Sequence, residues 1–241
     1  MTRFVALYRT ILAGCTSRAR VIGFVVVGTI EIVVAVVLRQ SGLTDTVSAA
    51  VQLVDKFGLT LVVPLAAMVF GTATLGDPIE DGTYVYLWLR PIRRSSISLA
   101  AYAATLTVIL PLAVLPTVVS AAIIDSSSGV LIGAFASTVL AGLAYSAVFV
   151  LLGQVTQRSL IWGIAYLLIL EQFISRGGQG LGFLSVHSHA VSVLVKSLPH
   201  PGEIDIALDY FSRPVGLIVS LVLTGLLLGG SAARQSRMSV A

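Results

Sequence analysis

The chain contains 241 residues, of which 56% are hydrophobic and only 11% are charged, and its mean hydropathy is +0.99. A soluble domain typically carries about 25% charged residues. The composition therefore excludes an ordinary soluble enzyme, a disordered chain and, with one cysteine, a disulfide scaffold. The net charge of +4 does not indicate a nucleic-acid partner, because the basic residues stand beside apolar segments. We predict an all-α membrane protein with a single transmembrane domain over residues 1–241.

Six segments are apolar and have close to the 20 residues that a helix needs to cross a bilayer. We predict each of them as a membrane-spanning helix. The third contains Pro111 and Pro116, which are expected to kink it. The predicted spans cover residues 21–38, 57–75, 97–124, 130–153, 160–174 and 215–232.

Six spans place both termini on one side of the membrane, and the basic residues indicate which side. Ten of the 15 basic residues flank the spans on the side of the termini. The positive-inside rule therefore predicts a multi-pass protein of the cell (plasma) membrane with both termini cytoplasmic. The ten residues are Arg3, Arg9, Arg18, Arg20, Arg90, Arg93, Arg94, Arg158, Arg234 and Arg237.

The segment before the first span has apolar residues at the spacing of one helical face. They are Phe4, Val5, Leu7, Tyr8, Ile11, Leu12 and Cys15. This pattern predicts an amphipathic helix in the cytoplasmic interface, with Cys15 filling space on its apolar face. The pattern leaves open whether this helix is only an anchor or has a further role.

The loop between the second and third spans carries signals for a short cytoplasmic helix. Asp77 is a favourable N-cap residue, Pro78 suits the first helical position, and Glu80 follows three residues after the cap. Asp81 adds a negative charge near the positive end of the helix dipole. Arg90 precedes a proline, so a helix of about twelve residues should end there. Such a helix either docks into a groove on a soluble partner or lies in the interface with its acids serving only as caps.

The segment between the fifth and sixth spans predicts an amphipathic or re-entrant helix at the outer face, because apolar residues recur at helical spacing over residues 184–198. Histidines and acidic residues in this segment raise the question of a metal site. His187 and His189 are two positions apart and lie on different helical faces, so we predict no metal site. The other candidates were His200, Glu203, Asp205 and Asp209.

Only two acidic residues lie inside the predicted spans. Glu31 is just past the middle of the first span, and Glu171 is near the outer end of the fifth. A carboxylate is costly in lipid, so each should face the bundle interior, a cavity or a partner chain. They either line a pathway for a cationic or amphipathic substrate or bond to neighbouring helices, and for Glu171 we favour the second. So few interior charges count against a proton-coupled carrier.

The loop after the second span resembles the first cytoplasmic loop of type-2 ABC exporter permeases. The resemblance is carried by the run Glu80-Asp81-Gly82-Thr83, then Leu87, then Arg90-Pro91-Ile92-Arg93-Arg94 before a span. One departure is visible, because many members have Gly-Lys shortly afterwards and this chain has Ala101-Tyr102. The resemblance implies that the N-terminal helix and the loop helix contact an ATPase subunit. The implied coupling residues are Asp77, Glu80, Asp81, Gly82, Thr83 and Arg90.

The resemblance thus implies the membrane permease subunit of an ABC exporter, paired with a second copy or a related chain within membrane lipid. ATP and Mg²⁺ are expected on separate soluble ATPase subunits, because this chain has no Gly-Lys pair and therefore no P-loop. It also lacks HExxH and GxSxG motifs, so we predict neither a catalytic residue nor a cofactor in this chain. The alternatives are a six-span secondary transporter or channel acting alone, and a structural or assembly protein.

Overall fold

The computed structural model describes residues 2–88, 93–156, 158–174, 179–198 and 211–237. Throughout these residues the chain is helical and contains no strand. Helices satisfy their own backbone hydrogen bonds, which suits a sequence with so few polar side chains. Five helices in the described part are long and apolar enough to cross a membrane.

The helices are labelled in chain order. They are α1 (Thr2–Cys15), α2 (Arg18–Gln40), α3 (Thr46–Glu80), α4 (Tyr84–Trp88), α5 (Arg94–Ile124), α6 (Ser128–Val155), α7 (Ser159–Ala165), α8 (Gln179–Gly182), α9 (Val186–Val195) and α10 (Arg213–Arg237). Three π-helical segments interrupt or extend them: Val54–Val62 in α3, Leu110–Val114 in α5 and Tyr166–Ile174 after α7.

The first four long helices, α2, α3, α5 and α6, alternate in direction, and α10 runs parallel to α6, so the bundle has two distinct ends. At one end the Arg20 guanidinium at the start of α2 lies 2.8 Å from the Asp77 carboxylate near the end of α3. At the other end Arg39 donates a 2.9 Å hydrogen bond to the carbonyl of Ile124, which joins the end of α2 to the end of α5. We call the end with α1, Arg20 and Asp77 the basic end, and the end with Arg39 and Ile124 the opposite end.

The centre of the bundle is the pair α3 and α6, which pack closely through glycines. A Cβ added to Gly153 of α6 would lie 2.9 Å from the backbone oxygen of Thr72 in α3. A Cβ added to Gly71 of α3 would lie 3.0 Å from the Cβ of Phe149 in α6. Small residues allow backbones to approach where lipid provides no hydrophobic force between helices. These glycines therefore set the separation of the two central helices.

Helices α2 and α10 lie at the periphery. In the most apolar stretch of each, only 17% and 22% of the residues are buried, compared with 78% in α3. Their outer faces carry large apolar side chains, which an aqueous surface would not tolerate over such an area. These side chains include Ile22, Val25, Val26, Ile30, Val33 and Val37 on α2 and Ile218, Leu221, Val222 and Leu226 on α10.

The two prolines of the third predicted span change its hydrogen bonding without ending it. Helix α5 continues through both, and it is π-helical over Leu110–Val114, a segment that contains Pro111 and ends two residues before Pro116. A proline lacks the N–H that would bond one turn earlier, and inserting a wider turn accommodates that gap. A π-helical segment therefore accompanies the prolines that are predicted to kink this span, and the kink itself stays a prediction.

The fifth predicted span is helical but short. It consists of α7, with 7 residues, and the π-helical segment Tyr166–Ile174, with 9 residues. A helix rises about 1.5 Å per residue, so this element reaches roughly 24 Å, less than the bilayer core of about 30 Å. The structure therefore contains five full-length candidate spans among the described residues rather than six.

The helix predicted between the fifth and sixth spans is present as α9, but it has no exposed polar face. Every residue from Val186 to Val195 is buried. Its neighbours are α6 and α10: a Cβ on Gly133 would lie 2.9 Å from the carbonyl oxygen of Leu194, and one on Gly216 would lie 2.8 Å from that of His189. Burial on every side differs from the predicted amphipathic surface form, and the re-entrant form stays a prediction.

The glycine crossing between α3 and α6 gives a stability test. We expect Gly153→Ala to reduce the free energy of unfolding by roughly 1–3 kcal/mol, because the new methyl group meets a backbone oxygen. The matched control is Gly23→Ala in α2, where nothing lies within 4 Å of the added Cβ. The thermal midpoints of purified variants in one detergent measure the difference. Equal midpoints for the two variants would contradict the close packing.

Candidate functional site

The basic end is organised around α1, which packs onto the bundle. Leu7, Ile11 and Cys15 are buried and lie on one face of α1. Leu7 and Ile11 join an apolar cluster with Leu75 of α3 and Tyr84 of α4, which also includes side chains of α5 and α6. The predicted apolar stripe is therefore confirmed as a helical face, and its centre contacts protein. The start of the stripe, at Phe4 and Val5, remains exposed.

The predicted capping role of Asp77 is wrong. Helix α3 continues from the apolar region through Asp77 and Pro78 to Glu80, so Asp77 is an interior residue. Its backbone carbonyl accepts a 2.9 Å hydrogen bond from the amide of Asp81, and its side chain pairs with Arg20. The buried, small residues preceding Asp77 keep the helix intact, and this tertiary packing outweighs the local start signal.

Gly82 ends α3. Its φ of +68° is in the left-handed region, which glycine adopts without steric cost. Its amide donates a 3.3 Å hydrogen bond to the carbonyl of Ile79, which caps the last turn. The turn Asp81-Gly82-Thr83 that follows is exposed, and α4 begins directly after it. The rest of the predicted loop helix, including Arg90, lies outside the described residues.

Glu80 contacts the first turn of α7. Its Oε1 accepts hydrogen bonds of 3.3 Å from both the amide and the hydroxyl of Ser159. Backbone amides at the start of a helix lack partners within it, and a carboxylate there is favourable. Glu80 therefore joins the end of α3 to the start of α7. The sequence alone places Glu80 in the predicted cap of the loop helix and in the coupling region, because a donor 79 positions away is not visible in a local pattern.

The exposed turn borders a groove of about 400 Å³ between α1 and the end of α3. Asp77 and Asp81 give the groove an acidic side, and Tyr86 of α4, which is 72% exposed, stands at its edge. Beneath it Tyr84 is buried and its hydroxyl donates a hydrogen bond to the side chain of Gln235 in α10. Burial raises the pKa of Tyr84, so this hydroxyl keeps its proton. The turn is thus attached to both α3 and α10.

A second polar region lies inside the bundle, around Glu171 in the π-helical extension of α7. Its carboxylate accepts hydrogen bonds from the hydroxyls of Tyr166 and Ser185, at 3.0 and 2.6 Å. The amides of Val186 and His187, at 3.1 and 3.3 Å, also donate to it. Glu171 therefore caps the N-terminus of α9, as a carboxylate favoured by the helix dipole. The interpretation that it bonds to a neighbouring helix is confirmed.

His187 joins this region to α3. Its Nε2 lies 2.9 Å from the carboxylate of Asp55 and 3.2 Å from the hydroxyl of Thr60. Both partners belong to the π-helical segment of α3. The sequence alone does not single out Asp55, because the second span is predicted to begin at residue 57. The continuous helix from Thr46 places Asp55 on an inward face, and its distance of 132 positions from His187 hides the pair from any local motif.

Glu31 is fully buried between α2 and α5. The hydroxyl of Thr117 donates a 3.2 Å hydrogen bond to its Oε2. Its Oε1 has no hydrogen-bond partner in the described part of the chain. The packing beside it is close, because a Cβ on Gly28 would lie 2.9 Å from the Pro116 side chain. Glu31 thus bonds to a neighbouring helix and still has one unused oxygen, so both interpretations of this residue remain open.

The two described histidines have partners within the protein. His187 pairs with Asp55, and His189 Nε2 lies 2.9 Å from the carbonyl oxygen of Phe183. Across residues 2–88, 93–156, 158–174, 179–198 and 211–237, no three metal-ligating side chains gather. The other residues considered for a metal site, His200, Glu203, Asp205 and Asp209, lie outside the described residues.

Comparison with known proteins does not assign the chain to a family. No protein-family model, no curated protein and no solved structure matches it. Its function must therefore be argued from the two polar regions.

Cys15 reports on the packing of α1, because it is the only cysteine in the chain. Burial raises the pKa of its thiol from 9.0 to about 11, although the nearby Arg20 guanidinium opposes this rise. A rise of this size lowers the thiolate fraction at pH 8 about 100-fold. We expect N-ethylmaleimide to modify native Cys15 at least about 100-fold more slowly than the unfolded chain. Similar labelling rates in the two states would show that α1 is not packed.

Glu171 is expected to be required for stability. Glu171→Ala leaves buried donors at the start of α9 without an acceptor, and we expect a loss of about 3 kcal/mol in the free energy of unfolding. Glu171→Gln keeps one acceptor oxygen and should cost less. Amide hydrogen exchange at Val186 and His187 should accelerate in Glu171→Ala. The control is Phe173→Ala, whose side chain is 84% exposed. Unchanged exchange in Glu171→Ala would contradict the capping role.

Proposed function

We propose that the chain is the membrane permease subunit of an ABC exporter, and that the exposed turn Asp81-Gly82-Thr83 is where an ATPase subunit acts. The observation that carries this proposal is the attachment of the turn to the bundle. Asp77 ties the end of α3 to α2, Glu80 ties it to α7, and the helix after the turn is tied to α10. A displacement of the turn would therefore move four helices at once.

The chemistry of the turn supports a protein partner. Asp81 is exposed, and its side chain forms no hydrogen bond or ion pair within the described residues. Tyr86 stands beside it with most of its surface exposed, and exposed aromatic side chains often anchor protein interfaces. The adjoining groove, between α1 and α3, offers an acidic wall to a basic segment of the partner. ATP and Mg²⁺ would be bound by that partner, and the proposal requires no cofactor in this chain.

The proposed membrane arrangement retains six crossings, with both termini cytoplasmic in the cell membrane and the basic end facing the cytoplasm. The short α7 and its π-helical extension would form the fifth crossing together with α9, which would be a re-entrant helix whose first turn donates hydrogen bonds to Glu171. Two permease chains, identical or related, would enclose the transport pathway. Glu31 is the proposed pathway residue because one of its carboxylate oxygens has no described partner. Both carboxylate oxygens of Glu171 accept hydrogen bonds, which supports a structural role for this residue.

One observation favours a different function. Asp55 and His187 form a titratable pair inside the bundle, near Glu171. Proton-coupled transporters use interior carboxylates and histidines as relays. A six-span secondary transporter or channel acting alone is therefore the second candidate. It differs from the first in needing no ATPase subunit.

Co-purification from native membranes distinguishes the two candidates. We expect the tagged chain to retain a P-loop ATPase in fixed stoichiometry, with measurable ATP hydrolysis, and we expect Asp81→Arg to reduce retention at least about tenfold by charge repulsion. Glu80 is unsuitable for this test because it also contacts α7.

The control is Asp45→Arg, which reverses an exposed charge at the opposite end. Asp45 caps α3 through the amide of Ser48, so this change should cost about 1 kcal/mol of stability but leave ATPase retention unchanged. If the wild-type chain retains no ATPase, the permease proposal fails and the transporter acting alone becomes the better assignment.

A further inference from the structure

A groove of about 470 Å³ opens at the opposite end, between the last turns of α2 and the first turns of α3. One wall is apolar and includes Val34 and Leu38 of α2. The other is a polar stripe on α3 that includes Ser48, Gln52 and Lys56. These three residues are spaced four apart and therefore share one helical face. The groove thus combines an apolar wall with a charged one.

Lys56 has no partner of its own. It is exposed and forms no hydrogen bond or ion pair in the described part of the chain. The adjacent Asp55 points the other way, because its carboxylate lies against His187. The other acid of the groove, Asp45, lies eleven positions earlier, about 16 Å along the helix, and caps α3 through Ser48. The charge of Lys56 is therefore free to bind an anion.

The depth of Lys56 matches a lipid phosphate. Asp77, whose carboxylate is paired at the basic end, lies 21 positions after Lys56 on the same continuous helix. At about 1.5 Å per residue this separation is about 31 Å, close to the roughly 30 Å thickness of the hydrocarbon core. When Asp77 is at one polar boundary of the bilayer, Lys56 is at the other.

The walls of the groove continue toward the bilayer centre as apolar surface. One turn deeper than Val34, Ile30 of α2 is 49% exposed, and one turn deeper than Phe57, Leu61 of α3 is 41% exposed. The α3 wall is π-helical from Val54 to Val62, a wider turn that often marks functional sites. An apolar chain entering below Lys56 would therefore remain between two apolar helix faces.

We propose that this groove binds one membrane phospholipid, with its phosphate on the Lys56 ammonium and one acyl chain between α2 and α3. The two polar residues above Lys56, Ser48 and Gln52, lie where the remainder of the headgroup would be. The site shares no residue with the coupling turn and does not depend on the permease proposal.

Native mass spectrometry of the purified full chain tests this site, with dioleoylphosphatidylglycerol as the probe. We expect one tightly retained lipid per chain. Lys56→Gln should weaken its binding about fivefold, which corresponds to the roughly 1 kcal/mol typical of one basic residue near an anionic lipid surface. Ala49→Phe, which fills the groove without changing its charge, should also release the lipid. The matched control is Arg213→Gln, an exposed basic residue at the start of α10, which should retain it.

Three results would overturn the proposal. Retention unchanged by both Lys56→Gln and Ala49→Phe would remove the groove as the site. An equal loss in Arg213→Gln would show a general charge effect. Competition by free glycerol 3-phosphate at the same concentration as the lipid would show an anion site without an acyl chain. Thermal midpoints measured without added lipid confirm that each variant is folded.

Discussion

The close approach of α3 and α6 is the constraint on which the rest of the structure depends. Glycines at the crossing bring the two backbones together, and no larger side chain fits at Gly153 without moving a backbone oxygen. The remaining helices are arranged around this pair: α1 covers its basic end, α9 lies against α6, and α2 and α10 form the outer faces. In a bundle with little polar surface, such steric matches select one arrangement of the helices, because apolar contact alone does not distinguish between arrangements.

Carboxylates then fix the short helices. Two of the helices that are too short to span a bilayer, α7 and α9, each have a first turn that is bonded to a glutamate from another part of the chain. Glu80 bonds the first residue of α7, and Glu171 bonds the first turn of α9. Unpaired amides at a helix start are costly inside an apolar bundle, so the acid satisfies them and also fixes the position of the helix. A few acidic residues thereby fix the positions of the short helices α7 and α9.

Some features were predictable from the sequence for clear physical reasons. Long apolar runs have one stable form in lipid, so the long helices and the face of α1 follow from composition and periodicity. The prediction of a helix start at Asp77 is wrong because packing of the continuous helix α3 outweighs the local preference of Asp77 for an N-cap position. The pairing of Asp55 with His187 could not be derived from the sequence, because the two residues are more than a hundred positions apart. The burial of α9 on all sides could not be derived either, because it depends on packing by neighbouring helices.

The sequence by itself determined the apolar character of the protein and its helical class, since both follow from composition and from the spacing of neighbouring residues. It did not determine the turn at Gly82, because the local signals predict one helix through that position. Only the tertiary structure decided what the few charges do. It showed that Glu80 and Glu171 bond the starts of other helices, that Asp55 faces inward and that Lys56, one residue later, faces a groove. The physical reason is that the cost of a charge depends on the partner or solvent it meets, and helices distant in sequence supply that partner.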